Sequence, residues 1–191
     1  MSIDLPGFAD SVSGAQTCFR AVLGGMSRPG SLHDVGDRLT PPPPLDPATA
    51  AVLLTLVDAD TPIWLAPFFS GARDWIAFHC GATVVPEIGQ AVFAVATEMP
   101  DLATLNTGTD EGPEDAATLV LQVRGFDRGV RLRLAGPGLA APATLLVDGL
   151  PDGLASIWAA NHALYPRGVD LILCTGNRLA ALPRSVRIAE G

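Results

Sequence analysis

The sequence predicts an α/β fold built on a mixed sheet with helices packed over it. Three observations carry the prediction. Apolar runs of strand length, the valine-rich "AVFAVAT" and "AATLVLQVRGF" and the later "VDLILC", recur along the chain. Segments with apolar residues at mostly helical spacing separate the early strands. Later, the alternating "VRLRLAG" and the closing stretch read as hairpin strands, so antiparallel pairs accompany parallel ones.

Taken in order, "GFADSVSGAQTCFRAVLGGMSRPGS" carries Val12, Cys18, Phe19, Val22, Leu23 and Met26 at near-helical intervals. It predicts a helix over about residues 11–26, stopped by Gly24 and Gly25 and followed by a turn at "SRPG". The run "PPPP" cannot be helical and predicts a short extended connector. Asp46 before Pro47 predicts an N-cap with proline at the first helical position, and a helix ending near Asp58. "TPIWLA" is a short strand, and "SGARDWIAFHCG" a capped amphipathic helix closing at Gly81.

"AVFAVAT" and "AATLVLQVRGF" follow as strands, the second bounded by the acidic loop "GTDEGPED". "VRLRLAG" sets Arg131 and Arg133 against Val130, Leu132 and Leu134, a strand with one wet face. "AGPGLA" reads as a turn, "ATLLVDG" as a strand, and "PDGLASIWAANHALYP" as the last helix, with Leu154, Ile157, Trp158 and Leu164 on one side. "VDLILCTGNRLAALPRSVRI" reads as a strand, a tight turn at Gly176 and Asn177, and a returning strand.

With 191 residues, 48% of them apolar, one domain spanning residues 1–191 has enough material for a sizeable core. No stretch of about eighteen uncharged apolar residues occurs, and the first residues carry acids where a signal peptide needs bases, so a cytoplasmic protein with no membrane contact is expected. Cys18, Cys80 and Cys174 lie far apart in apolar surroundings and read as reduced, buried thiols. A net charge of -8 argues against nucleic acid as a partner. The charge is uneven, with 4 arginines against 15 acids in residues 1–123 and 8 against 5 thereafter. All 12 basic residues are arginine, which excludes a pyridoxal-phosphate Schiff base and a P-loop lysine.

Catalytic motifs are sparse. "GGMSRPG" misses a nucleophile elbow because Pro29 stands where the second glycine belongs. His33, His79 and His162 are isolated, without metal-ligand spacing, and Asp110, Glu111, Glu114 and Asp115 match no calcium loop, so no metal is expected. In "YPRGVDLILC", Arg167 and Asp170 precede an apolar strand. At a strand's amino end they read as a structural joint, with Gly168 supplying a backbone angle closed to other residues and Asp170 bonded to backbone donors or an arginine.

The segments "FRAVLGGMSRPGS", "AAVLLTLVDADTPIWL", "FHCGATVV", "LNTGTDEGPEDAATLVLQV", "RLRLAGPGL" and "YPRGVDLILCTGNRLAALPRS", in this order, resemble the PhnH family of the bacterial carbon-phosphorus lyase system. The resemblance runs from about Phe8 to Val186. Its most specific parts are the blocks Gly108 to Leu119 and Pro166 to Leu173. It implies a three-layer α/β/α fold similar to the large domain of pyridoxal-phosphate transferases, without that cofactor. It implies an accessory role beside the G, I and L subunits in making ribose 1-phosphonate 5-triphosphate from ATP and an alkylphosphonate. Association with G, I and J subunits, and a homodimer when alone, are also implied. No catalytic residue is carried over. The alternative from the residues themselves is a stand-alone transferase or hydrolase gripping an anionic phosphonate through Arg28, Arg131, Arg133, Arg167 or Arg184, which are also the candidates for partner contact.

Overall fold

The structure, a computed structural model, describes residues 4–191. Its centre is a six-stranded mixed sheet. The strands are β1 (His33–Asp34), β2 (Ile63–Leu65), β3 (Phe93–Ala96), β4 (Thr118–Gln122), β7 (Asp170–Thr175) and β8 (Arg178–Leu182), in the order β1-β8-β7-β4-β3-β2. Strands β2, β3, β4 and β7 run parallel, β8 returns antiparallel to β7, and β1 pairs antiparallel to β8. The central strands are unbroken apolar runs because both of their faces are covered. Val95, Val120, Ile172 and Cys174 face one core, while Ala94, Leu119, Leu121, Leu171 and Leu173 face the other.

The first core is closed by α1 (Ser11–Ser27), α2 (Pro47–Leu56) and α3 (Arg73–Cys80). Helix α1 starts where expected because the Asp10 carboxylate accepts from the backbone N–H of Val12 and Ser13. Its Gly25 allows close approach to β8, since a Cβ there would sit 3.1 Å from that of Ala181. Asp46 occupies the N-cap position of α2 but makes no side-chain cap bond; its carboxylate instead accepts from Gly176 N at 2.8 Å, joining α2 to the β7–β8 turn. Gly81 ends α3 in a left-handed conformation, whereas its start is a turn of 3-10 helix over Pro67–Ala72 without a side-chain cap. The proline run is not simply extended, for Leu45 N donates to Pro42 O in a turn.

The second core is closed by α4 (Leu154–His162) and a three-stranded antiparallel sheet of β6 (Ala143–Asp148), β5 (Gly125–Ala135) and β9 (Arg187–Glu190). The outer layer expected to be helical is therefore one helix and a small sheet. This also corrects the strand expected at "AATLVLQVRGF". Val123 N still bonds Cys174 O in the large sheet, but Arg124 N bonds Asp148 O, so the chain leaves one sheet for the other at that peptide. Phe126 then belongs to β5. The final "VRI" likewise forms β9 on β5, and does not prolong β8. Along β5 the predicted alternation holds, with Arg131 and Arg133 exposed and Leu132 and Leu134 buried.

Candidate functional site

The two sequence blocks that carry the family resemblance meet in space. At the amino ends of β4 and β7, Gly168 N donates to Thr107 O at 2.9 Å and Asp170 N to Ala117 O at 3.3 Å. Asp170 also accepts from Arg184 three times, from the backbone N at 2.7 Å, Nε at 3.1 Å and Nη2 at 2.6 Å. Arg184 Nη1 donates to Pro113 O at 2.6 Å, so one guanidinium ties the loop before β4 to the start of β7. Asn161 of α4 clamps the same corner, its amide bonding both N and O of Val169. Gly168 has φ +115, and a Cβ there would lie 3.0 Å from the Asn161 carbonyl. Arg167 Nε lies 3.1 Å from Asp110 Oδ1, yet its N–H is not aimed at that oxygen; the contact is an ion pair and leaves a buried donor unmatched.

Sequence-derived candidates are thus scattered. Arg28 is exposed at the end of α1, and Arg131 and Arg133 share the outer face of β5. Only Arg167 and Arg184 share the joint, where Arg184 already spends three side-chain nitrogens within the chain. His79 Nε2 donates to Leu5 O at 3.0 Å while its ring rests against Trp75. His33 Nε2 lies 2.8 Å from Ser31 Oγ, but that hydroxyl donates to Arg28 O at 2.7 Å, so the ring donates to Ser31 and cannot take its proton. His162 Nδ1 donates to Arg184 O at 2.9 Å. Among the described residues no cluster of His, Cys, Asp and Glu could hold a metal ion, the acidic loop included.

At the opposite edge, the carboxyl ends of β3 and β4, a cleft of about 360 Å³ is lined by Phe68, Thr97, Glu98, Gln122, Val123, Arg124 and Gly149. Open α/β sheets usually gather ligands at such an edge. Its polar groups are largely committed, however. Gln122 accepts from Asp46 N and Thr49 Oγ1 and donates to Pro44 O. Arg124 donates twice to Asp148 Oδ1, and Arg128 Nε to Asp148 Oδ2 at 2.9 Å. Those two guanidiniums hold the Asp148 carboxyl below its usual value of 3.8. This cluster was missed by sequence reasoning because its members are 20 and 24 residues apart and meet only where β6 folds back on β5. Burial pushes the Cys18 and Cys174 thiols up, and the Cys80 thiol up to about 12, which disfavours the thiolate form.

What the surface offers is apolar contact. Val12, Phe19 and Leu23, spaced at seven and four residues on α1, remain 66%, 52% and 58% exposed. Three large apolar side chains in one helical stripe are unusual on a monomer. A family model described as bacterial phosphonate metabolism protein (PhnH) matches residues 6–189. The chain belongs to the PhnH family. The alpha-D-ribose 1-methylphosphonate 5-triphosphate synthase subunit PhnH of Rhizobium meliloti (strain 1021) is 39% identical over 186 residues, covering 95% of this chain and 93% of that protein. A protein of Stutzerimonas stutzeri, provisionally named C-P lyase subunit protein HtxG, is 32% identical over 173 residues, covering 91% of this chain and 85% of its own length. Both relatives are named as subunits. Among the described residues no helix is long and apolar enough to cross a membrane.

Proposed function

We propose that this PhnH-family chain is an accessory, non-catalytic subunit of a carbon-phosphorus lyase core complex in phosphonate catabolism. Within it, the chain works with the G, I and L subunits in forming ribose 1-phosphonate 5-triphosphate from ATP and an alkylphosphonate. Near full-length likeness to a protein named as the PhnH subunit of a ribose 1-methylphosphonate 5-triphosphate synthase carries this reading. The exposed stripe Val12, Phe19 and Leu23 supports it as an apolar interface centre, and the exposed guanidiniums of Arg28, Arg131 and Arg133, which have no partner among the described residues, suit rim contacts with an acidic partner. The partners in this reading are the G, I and J subunits in the cytoplasm, and a second copy when the chain is alone. The fold is read as a counterpart of the pyridoxal-phosphate transferase large domain that has no lysine to carry the cofactor.

The purified chain alone is expected to release no adenine from ATP in the presence of an alkylphosphonate, and addition of the other subunits is expected to start the reaction. Chromatographic measurement of free adenine decides it. Steady turnover by the chain alone overturns the accessory reading in favour of a stand-alone enzyme.

A further inference from the structure

Between the end of α4 and the β5–β6 turn lies a hollow of about 240 Å³ lined by Gly136, Pro137, His162, Tyr165, Ser185 and Arg187. Several polar side chains that line it are uncommitted together, an arginine, two hydroxyls and one ring nitrogen of a histidine. Among the described residues no hydrogen bond or ion pair engages the Arg187 guanidinium, the Tyr165 or Ser185 hydroxyl, or His162 Nε2, whereas Arg124, Arg128, Arg178 and Arg184 each hold a carboxylate. No lining residue is acidic. The larger hollow beside α1 carries Asp10, Asp34 and Asp37, and the carboxyl-edge cleft carries Glu98. A hollow around Arg20 on α1 likewise has one arginine and no carboxylate, but its Thr55 hydroxyl already donates to Ala51 O, whereas here two hydroxyls stand beside the arginine.

We infer that this hollow binds a small phosphoryl oxyanion that keeps a proton, such as phosphate or an alkylphosphonate. Arg187 supplies the charge and paired donors suited to phosphoryl oxygens, and the Ser185 and Tyr165 hydroxyls supply further donors. His162 sets the selectivity. A carbonyl can only accept, so Nδ1 carries a proton toward Arg184 O, and in the imidazole form this leaves Nε2 as the acceptor. That acceptor matches a P–OH group, whereas sulfate at neutral pH has no proton to offer it. The backbone under the site is fixed, because Arg184, whose carbonyl orients His162, is itself locked to Asp170 and Pro113.

The inference stands on this chain by itself, so its failure leaves the subunit reading intact, and the failure of that reading leaves it intact in turn. Tyr165 is the sole tyrosine, so the full chain made with 3-fluorotyrosine gives a single fluorine resonance at the site. Titration with inorganic phosphate, and separately with methylphosphonate, at neutral pH and constant ionic strength is expected to shift it saturably. Sulfate should bind at least about tenfold more weakly, and Arg187→Gln should weaken phosphate binding by about tenfold or more, the range of one charged hydrogen-bonded contact. Arg187 is exposed on β9, so the variant keeps its fold, checked by its unchanged melting temperature; Arg73→Gln should leave the titration as in the parent. A response that never saturates, or that survives Arg187→Gln, overturns the site. Equal affinity for sulfate overturns the role given to His162.

Discussion

Asp170 is a residue whose chemistry is spent on architecture. Its carboxylate is 21% exposed and its partner Arg184 14%, and three donors of Arg184 converge on it. Removing the carboxylate leaves a half-buried guanidinium facing a void, so Asp170→Ala should cost about 2 kcal/mol, a loss of roughly 4–8 °C in melting temperature at this chain length. Arg167→Ala should cost far less, because its partner Asp110 is 82% exposed and such pairs contribute less than about 1 kcal/mol. Thermal unfolding of the two variants checks the order, and the reverse order would sink the structural reading of the joint. This much was legible in "YPRGVDLILC", where a glycine and an acid stand before an apolar strand. Asn161 was not: on sequence it is one polar residue in a helix, and its partner Val169 comes eight positions later, after a turn that pattern alone does not fold back.

Elements were legible where burial imposes a simple period. The two-faced runs of β3, β4 and β7, the alternation along β5 and the capped start of α1 all follow from local rules. Two-residue β1 and the terminal β9 were not, because each is defined by the strand beside it and carries no pattern of its own. Helix α1 separates the two kinds of information. Asp10→Ala should lower stability by about 1 kcal/mol through the lost cap, seen as a shifted urea midpoint with unchanged slope. Replacing Val12, Phe19 and Leu23 together by serine should change stability little, since the three side chains are more than half exposed, but should abolish co-purification with the other subunits or self-association in sedimentation. Intact association in that triple variant would move the interface elsewhere.

On the scale of the whole molecule, two sheets share one core, and the chain passes between them where Arg124 and Arg128 grip Asp148. The folded Asp148 carboxyl titrates below its unfolded value, so its contribution is fully present above about pH 4 and is lost as pH falls through the folded value. Melting temperatures of the parent and Asp148→Asn should therefore differ most near neutral pH and converge in acid; a constant gap would mean that the carboxylate charge is not what the arginines hold. No local pattern announces this crossing, which is why the small sheet was read as a continuation of the large one. The corner at Asp170 has a different consequence, for lineages of this chain. Arg184 binds both the strand after Pro166 and the loop at Pro113, so the two most distinctive stretches of sequence answer to a single side chain. The carbonyl of Pro113 is supplied by any residue, but the carboxylate is not: a descendant that loses Arg184 without also exchanging Asp170 inherits an unbalanced charge, and Asp170 and Arg184 are expected to change together or not at all.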